Sequence, residues 1–243
     1  MTDISHTLVI GGSSGMGLAL TRRLLAEGQA VTIAGRSRDR LAAVSAELAA
    51  DRLRTVQADI TRENSVRDLF GPWLVEHTGR LDHVVVTAAD MSTGYGPLAQ
   101  LPLADARTVV EAKVLGPWLV AKYAAPLLTE TLTVTSGIAA YRPAVGGTVV
   151  ATVNAALEGL VRALALELAP IRVNAVSPGW VDTPIWNSFA ADTKHERLSA
   201  MAARLPAGRI GHPDDIADAF RAIMNNRFMT GTVLHVEGGH RLI

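Results

Sequence analysis

Gly11-Gly12-Ser13-Ser14-Gly15-Met16-Gly17 stands between a short apolar run and an amphipathic one. A chain that turns sharply and brings its backbone close to an anion needs residues without a Cβ. A helix starting there presents free N–H groups and the positive end of its dipole. Gly11, Ser13, Ser14, Gly15, Met16 and Gly17 are therefore candidates to hold a pyrophosphate, in the strand–turn–helix context that such a motif requires. A tight turn with no ligand is the plainer alternative. About twenty residues further on, a carboxylate would accept hydrogen bonds from the ribose of NAD. The chain instead reads Ala34-Gly35-Arg36-Ser37-Arg38. Arg36 offers a planar fork to a 2′-phosphate and Ser37 a further donor, which selects NADP(H) over NAD(H). A solvated loop arginine is the alternative.

These residues need strands to carry them. Residues 8–10, 31–34, 54–58, 84–86, 132–135, 171–176 and 233–236 read as strands. Residues 18–27, 41–50, 65–77 and 154–168 read as helices, the last with Leu157, Leu160, Val161, Leu164 and Leu168 on one face. Strands that are apolar throughout and alternate with helices imply a doubly wound α/β fold, a seven-stranded parallel sheet with helices on both faces. No linker or repeat interrupts the pattern, so one domain over residues 1–243 is expected. Residues 186–205 have no place in the alternation. The stretch 184–207 is read as a substrate-loop insertion over the carboxyl edge of the sheet, where ligands bind in such folds.

Composition narrows the classes. Lys plus Arg and Asp plus Glu cancel at 23 each, which suggests neither nucleic acid nor an anionic membrane as partner. Without cysteine there is no disulfide, thiolate metal site or cysteine nucleophile, and the histidines lack metal-ligand spacing. The first residues lack signal-peptide features, and no apolar run reads as long enough to span a bilayer. A cytoplasmic location is expected.

The Gly-x3-Gly-x-Gly spacing resembles the short-chain dehydrogenase/reductase family, with Ile10 and Met16 as mild departures. The likeness continues through 82–89, where Val86 and Thr87 stand at asparagine positions and Ala89 at a glycine, and through 174–184, which resembles N-x-x-x-P-G-x-x-x-T. It implies a Rossmann fold and a small-molecule substrate, with association as a homodimer or homotetramer. It also implies cofactor contacts for Asp59 and Ile60 near the adenine, and for Thr87, Ala88 and Ala89. Pro178, Gly179, Val181 and Thr183 would lie at the nicotinamide end. For Asp59, helix capping ahead of Thr61 and Glu63 is an open alternative.

The family's catalytic set of Asn, Ser, Tyr and Lys is broken here. Ser136 matches the serine. Aligned on residues 155–160, the lysine position holds Asn154 and the tyrosine position Val150, while Lys113 stands at the asparagine position of the fourth helix. Asparagine and lysine thus look exchanged between two helices that meet at one polar site. Independent drift, with Lys113 solvated, is equally open. A desolvated Lys113 would have a lowered pKa suited to proton transfer. Valine cannot protonate an alkoxide, so Tyr141, Lys113, or water held by Lys113 and Asn154 would supply the proton, and Ser136 would hold the substrate's polar atom. Trp186, Phe189 and Met201 read equally as pocket lining or core. The expected function is NADP(H)-dependent redox chemistry on a small carbonyl, imine or activated alkene. Its rivals are cofactor binding without turnover, as a sensor, scaffold or inactive partner, and non-redox lyase or isomerase chemistry in the same pocket.

Overall fold

A computed structural model describes residues 4–243 except 72, 73, 75, 78–80, 89, 90, 189 and 190. Ala89 and Phe189 therefore lie outside the described residues. The first half of the chain runs β1 (His6–Ile10), α1 (Gly15–Ala26), β2 (Ala30–Gly35), α2 (Arg38–Leu48), β3 (Leu53–Gln57), α3 (Glu63–Leu69), β4 (Leu81–Val86) and α4 (Leu103–Val110). A π-helical turn (Glu111–Leu115) leads into α5 (Gly116–Ala124), followed by β5 (Leu128–Thr135), α6 (Thr148–Glu167) and β6 (Arg172–Pro178). The chain ends with α7 (Lys194–Ala202), α8 (Pro213–Asn225) and β7 (Val233–Val236). All seven strands join one parallel sheet in the order β3-β2-β1-β4-β5-β6-β7.

Side chains alternate across a strand, and the core divides accordingly. Leu8, Ile10, Val84, Val86, Leu132 and Val134 pack with Val66, Val120, Leu157 and Val161 on one face. Val9, Val31, Ile33, Val85 and Val176 pack with Leu20, Leu24, Phe220 and Ile223 on the other. Burying each such side chain contributes about 1.5–3 kcal/mol, and two covered faces explain why β1, β4 and β6 are buried along their whole length. The edge strands β3 and β7 are half-covered.

Strand order reverses between β1 and β4, which pair directly. The chain leaves the sheet in opposite directions there and opens a crevice at the carboxyl ends. The loops after β1, β4, β5 and β6 carry the phosphate-loop glycines, Thr87, Ser136 and Gly179 to its rim.

Three expectations need correction. α6 starts at Thr148, six residues before the point read from the sequence, because Val150 and Val153 extend its buried face. At 20 residues it is long and apolar enough to cross a membrane by length and composition, contrary to the sequence reading. Its Leu157, Val161 and Leu164 face is core against the sheet. Last, α3 stops at Leu69 where one helix over 65–77 was expected; residues 74, 76 and 77 are helical again, while 72, 73 and 75 lie outside the description.

Candidate active site

One cleft of about 1840 Å³ runs along the carboxyl edge. It is lined by Gly11, Ser13–Gly17, Arg36, Ser37, Asp59, Ile60, Thr87 and Ala88 toward one end, and by Lys113, Ser136, Tyr141, Val150, Asn154, Pro178, Gly179, Val181 and Thr183 toward the other. Every candidate named from the sequence, Ala89 and Phe189 aside, lines it.

The loop after β1 is shaped by packing as much as by any ligand. Gly11 N–H donates to Ala34 O at 2.8 Å, and Gly11 adopts φ 91°. A Cβ on Gly17 would sit 2.3 Å from Gly11 O and 2.5 Å from Thr87 Oγ1. Thr87 is fixed there because its N–H and its hydroxyl both donate to Ile10 O, at 2.8 and 3.1 Å. Ser14 at the N-cap of α1 makes no side-chain cap bond, and the first turn holds no acidic residue. Helix N–H groups left in this state are suited to an anion. The cradle therefore fits a dinucleotide pyrophosphate.

At the end of β2 the structure modifies two sequence roles. Ser37 caps α2, its Oγ accepting from Arg40 N–H at 3.3 Å, which leaves its proton for a ligand. Arg40 lines the cleft beside Arg36 and went unnoticed in the sequence, although it follows the singled-out segment by two positions. Asp59 does not cap α3, whose N-cap is Arg62: its Oδ1 accepts from Thr61 N–H at 3.0 Å and Thr61 Oγ1 at 2.8 Å in the turn ahead of the helix. Ile60 is buried against Gly116. At the far end, Gly179 N–H donates to Val236 O at 2.9 Å, and the indole of Trp186 donates to Val181 O at 2.8 Å. Trp186 and Met201 prove to be both buried and cleft-lining. Thr183 packs on Gly15.

Lys113 occupies the π turn, and Pro117 accounts for that turn. Proline has no N–H and its ring clashes with the carbonyl four residues back, here that of Lys113. The helix widens instead, with Gly116 N–H bonding to Glu111 O. The wider turn drives Lys113 inward to 2% exposure, so the solvated alternative is excluded. Its Nζ donates to Thr135 O at 2.6 Å and Ser136 O at 3.3 Å. Burial lowers its pKa from 10.5 to about 8.

That lowered pKa has a stability consequence. Below pH 8 the amine is charged in both the folded and unfolded states, and the fold carries its desolvation. Between pH 8 and 10.5 the unfolded chain holds the proton more firmly, so stability rises with pH across this window. The difference between the two values corresponds to an upper bound of about 3 kcal/mol. Denaturation measured against pH should show this rise in the native protein and its absence in Lys113→Met; parallel curves would refute it.

Around Ser136 the arrangement departs from expectation. Its hydroxyl donates within the protein, to Asn154 O at 3.1 Å or Glu158 Oε1 at 3.3 Å, and so it meets a substrate as an acceptor rather than as a committed donor. Tyr141 hydroxyl donates to Glu158 Oε2 at 2.5 Å, and its ring meets His235 edge-on at 4.7 Å. Loss of solvation, reinforced by the Glu158 carboxylate, pushes its pKa up to about 12. Tyr141 is a poor acid in this setting, which corrects its place among the proton donors. Glu158 was missed, although Val150, Asn154 and Glu158 recur every four residues on one helical face. Asn154 Nδ2 donates to Val150 O at 2.9 Å, and its Oδ1 is buried without a partner. That orphaned acceptor suits a ribose hydroxyl or a water. Val150 is 2% exposed and supplies no proton.

Residues 11–241 match the family model described as enoyl-(acyl carrier protein) reductase. The short-chain dehydrogenase/reductase ATR9 of Stachybotrys chlorohalonatus is 34% identical over 246 residues, 96% of this chain and 95% of that one. The MalC reductase/Diels-Alderase of Malbranchea aurantiaca superposes with a TM-score of 0.90 at 31% identity, covering 99% of this chain and 97% of that chain. A small-chain dehydrogenase in complex with NADPH gives a TM-score of 0.83 at 31% identity, covering 99% and 100%. With its sheet order, its glycine loop and this likeness along nearly its whole length, the chain belongs to the short-chain dehydrogenase/reductase family of oxidoreductases.

Proposed function

We propose that the protein is an NADP(H)-dependent reductase of a small carbonyl, imine or activated alkene, with Lys113 in place of the missing tyrosine acid. The observation that carries this reading is a single cleft joining the glycine loop and Arg36 to a buried Lys113 that bonds Ser136 O, with Asn154 lining the same cleft. The NADPH held by one relative of similar fold, and the reductase activity in the description of another, support it.

When bound, the cofactor supplies a hydride. The chain does the rest. N–H groups at the start of α1 hold the pyrophosphate, and the Arg36 fork and the Ser37 hydroxyl hold the 2′-phosphate, with Arg40 adjacent. Asn154 Oδ1 accepts from a ribose hydroxyl or a water. The Lys113 ammonium, mostly charged below pH 8, passes a proton to the developing anion directly or through that water. Ser136 Oγ, as an acceptor, positions a substrate N–H or O–H.

Fluorescence titration with NADPH and NADH tests the cofactor. Arg36→Ala should weaken NADPH by about 10–100-fold, the worth of a charge-assisted hydrogen bond, and leave NADH unchanged. Equal losses for both would remove the 2′-phosphate assignment. Val150 also favours a second reading, cofactor binding or non-redox chemistry in the same pocket. NADPH oxidation across a carbonyl, imine and alkene panel separates the two: binding without oxidation of any member selects the second.

A further inference from the structure

The substrate end of the cleft carries positive charge that the reading above leaves unused. Arg197, Met201 and Arg204 are spaced i, i+4, i+7, which places them on one face of α7 and its continuing turn, and all three line the cleft. Arg142 reaches the same cleft from the loop after β5, anchored by its Nη2 donating to Arg241 O at 2.8 Å. His240 lines it from the short helical turn His240–Leu242. Burial disfavours charge on His240, Glu237 opposes that effect, and Arg204 and Arg142 add to it, so groups from three separate segments share one neighbourhood. His240 is 9% exposed, and its Nδ1 is buried with no hydrogen-bond partner.

The carboxylates nearest this patch already have partners of their own, Glu237 beside His240 among them. Glu237 holds Arg241, Asp182 pairs with Lys194, and Glu158 accepts the proton of Tyr141. Among the described residues, Asp59 is the one aspartate or glutamate lining the cleft, and it follows β3, at the opposite edge of the sheet from the patch. Arg197 and Arg204 have no carboxylate partner among the described residues, whereas Arg22, Arg23, Arg209 and Arg221 are paired on the surface.

We infer that this end of the cleft is an oxyanion subsite, in which Arg204 and Arg142 receive a carboxylate or phosphate ester borne by the substrate. The guanidinium fork matches either group bidentately. The subsite would fix the remote end of the substrate and so hold its reducible bond near Lys113. The inference deepens the proposed function and rests on it for the identity of the ligand as substrate.

The test is calorimetric titration of the NADPH-saturated protein with cyclohexanecarboxylate, cyclohexyl phosphate and cyclohexanecarboxamide. Either anion should bind roughly tenfold or more tightly than the amide, and Arg204→Gln should abolish the preference. Arg142→Gln should reduce it. The stronger of the two anions identifies the group. Binding of the amide as tightly as the anions, failure of all three to bind, or a preference that survives Arg204→Gln overturns the subsite. The titration needs no turnover. Anion binding together with no NADPH oxidation across the carbonyl, imine and alkene panel would sink the reductase reading alone, and turnover on that panel with no anion preference would sink the subsite alone.

Discussion

Lys113→Met should cut turnover by about 10²–10⁴-fold, the usual worth of a positioned acid, while NADPH affinity changes far less. Methionine keeps the length and apolar stem of lysine and removes the proton. The ammonium reaches Thr135 O and Ser136 O inside the fold, so the variant leaves two carbonyls short of a donor; its melting temperature must be read alongside its rate. A specific signature accompanies the loss. If Lys113 delivers the proton, turnover in the native enzyme falls as pH rises through about 8, where burial places its pKa. The residual rate of Lys113→Met should lack that limb. Tyr141→Phe gives the contrast: a hydroxyl committed to Glu158 and with its pKa near 12 is not the acid, so its removal should alter the rate only a few-fold. A Lys113→Met enzyme that keeps native turnover and the alkaline limb would exclude the lysine, and a collapse in Tyr141→Phe would return the tyrosine to the role.

What the sequence disclosed and what it withheld divide along a physical line. Features set by short stretches were legible. Apolar strands alternating with helices specify a sheet covered on both faces, and the expected seven strands assemble in one sheet. The Gly11–Gly17 spacing and the absence of a carboxylate after β2 point to the cofactor end, because both depend on consecutive residues. Features set by long-range contacts were not legible. Lys113 could be placed at the asparagine position of the family pattern, but its burial follows from the π turn that Pro117 imposes, and helical periodicity does not register an extra residue in a turn. The Ser136–Glu158–Tyr141 cluster joins a strand end, a helix and a loop. Only the four-residue recurrence of Val150, Asn154 and Glu158 hinted at it. Likewise, Arg142, Arg204 and His240 are far apart in the chain, and no local pattern marks them as neighbours.

Gly17→Ala should abolish binding of NADPH and NADH alike, by about 100-fold or more, and this common loss separates it from Arg36→Ala. The added methyl would meet Gly11 O at 2.3 Å and Thr87 Oγ1 at 2.5 Å, distances that real contacts do not reach. Neither neighbour can retreat easily. Gly11 N–H is bonded to Ala34 O, tying it to β2, and Thr87 is held twice by Ile10 O. Gly17 O in turn accepts from Thr21 Oγ1 at 2.9 Å within α1. The strain must then be relieved by lifting the first turn of α1 from the β4 loop, which displaces the N–H groups offered to the pyrophosphate. Overpacking of this kind typically costs about 1–3 kcal/mol, so the variant should remain folded with a lowered melting temperature. Because both cofactors share the pyrophosphate, the lost affinity should not depend on the 2′-phosphate. A folded Gly17→Ala protein that binds either nucleotide within about threefold of the native affinity would show that the start of α1 is not where the phosphates are held, and the glycine would then serve only the packing of the loop on Thr87.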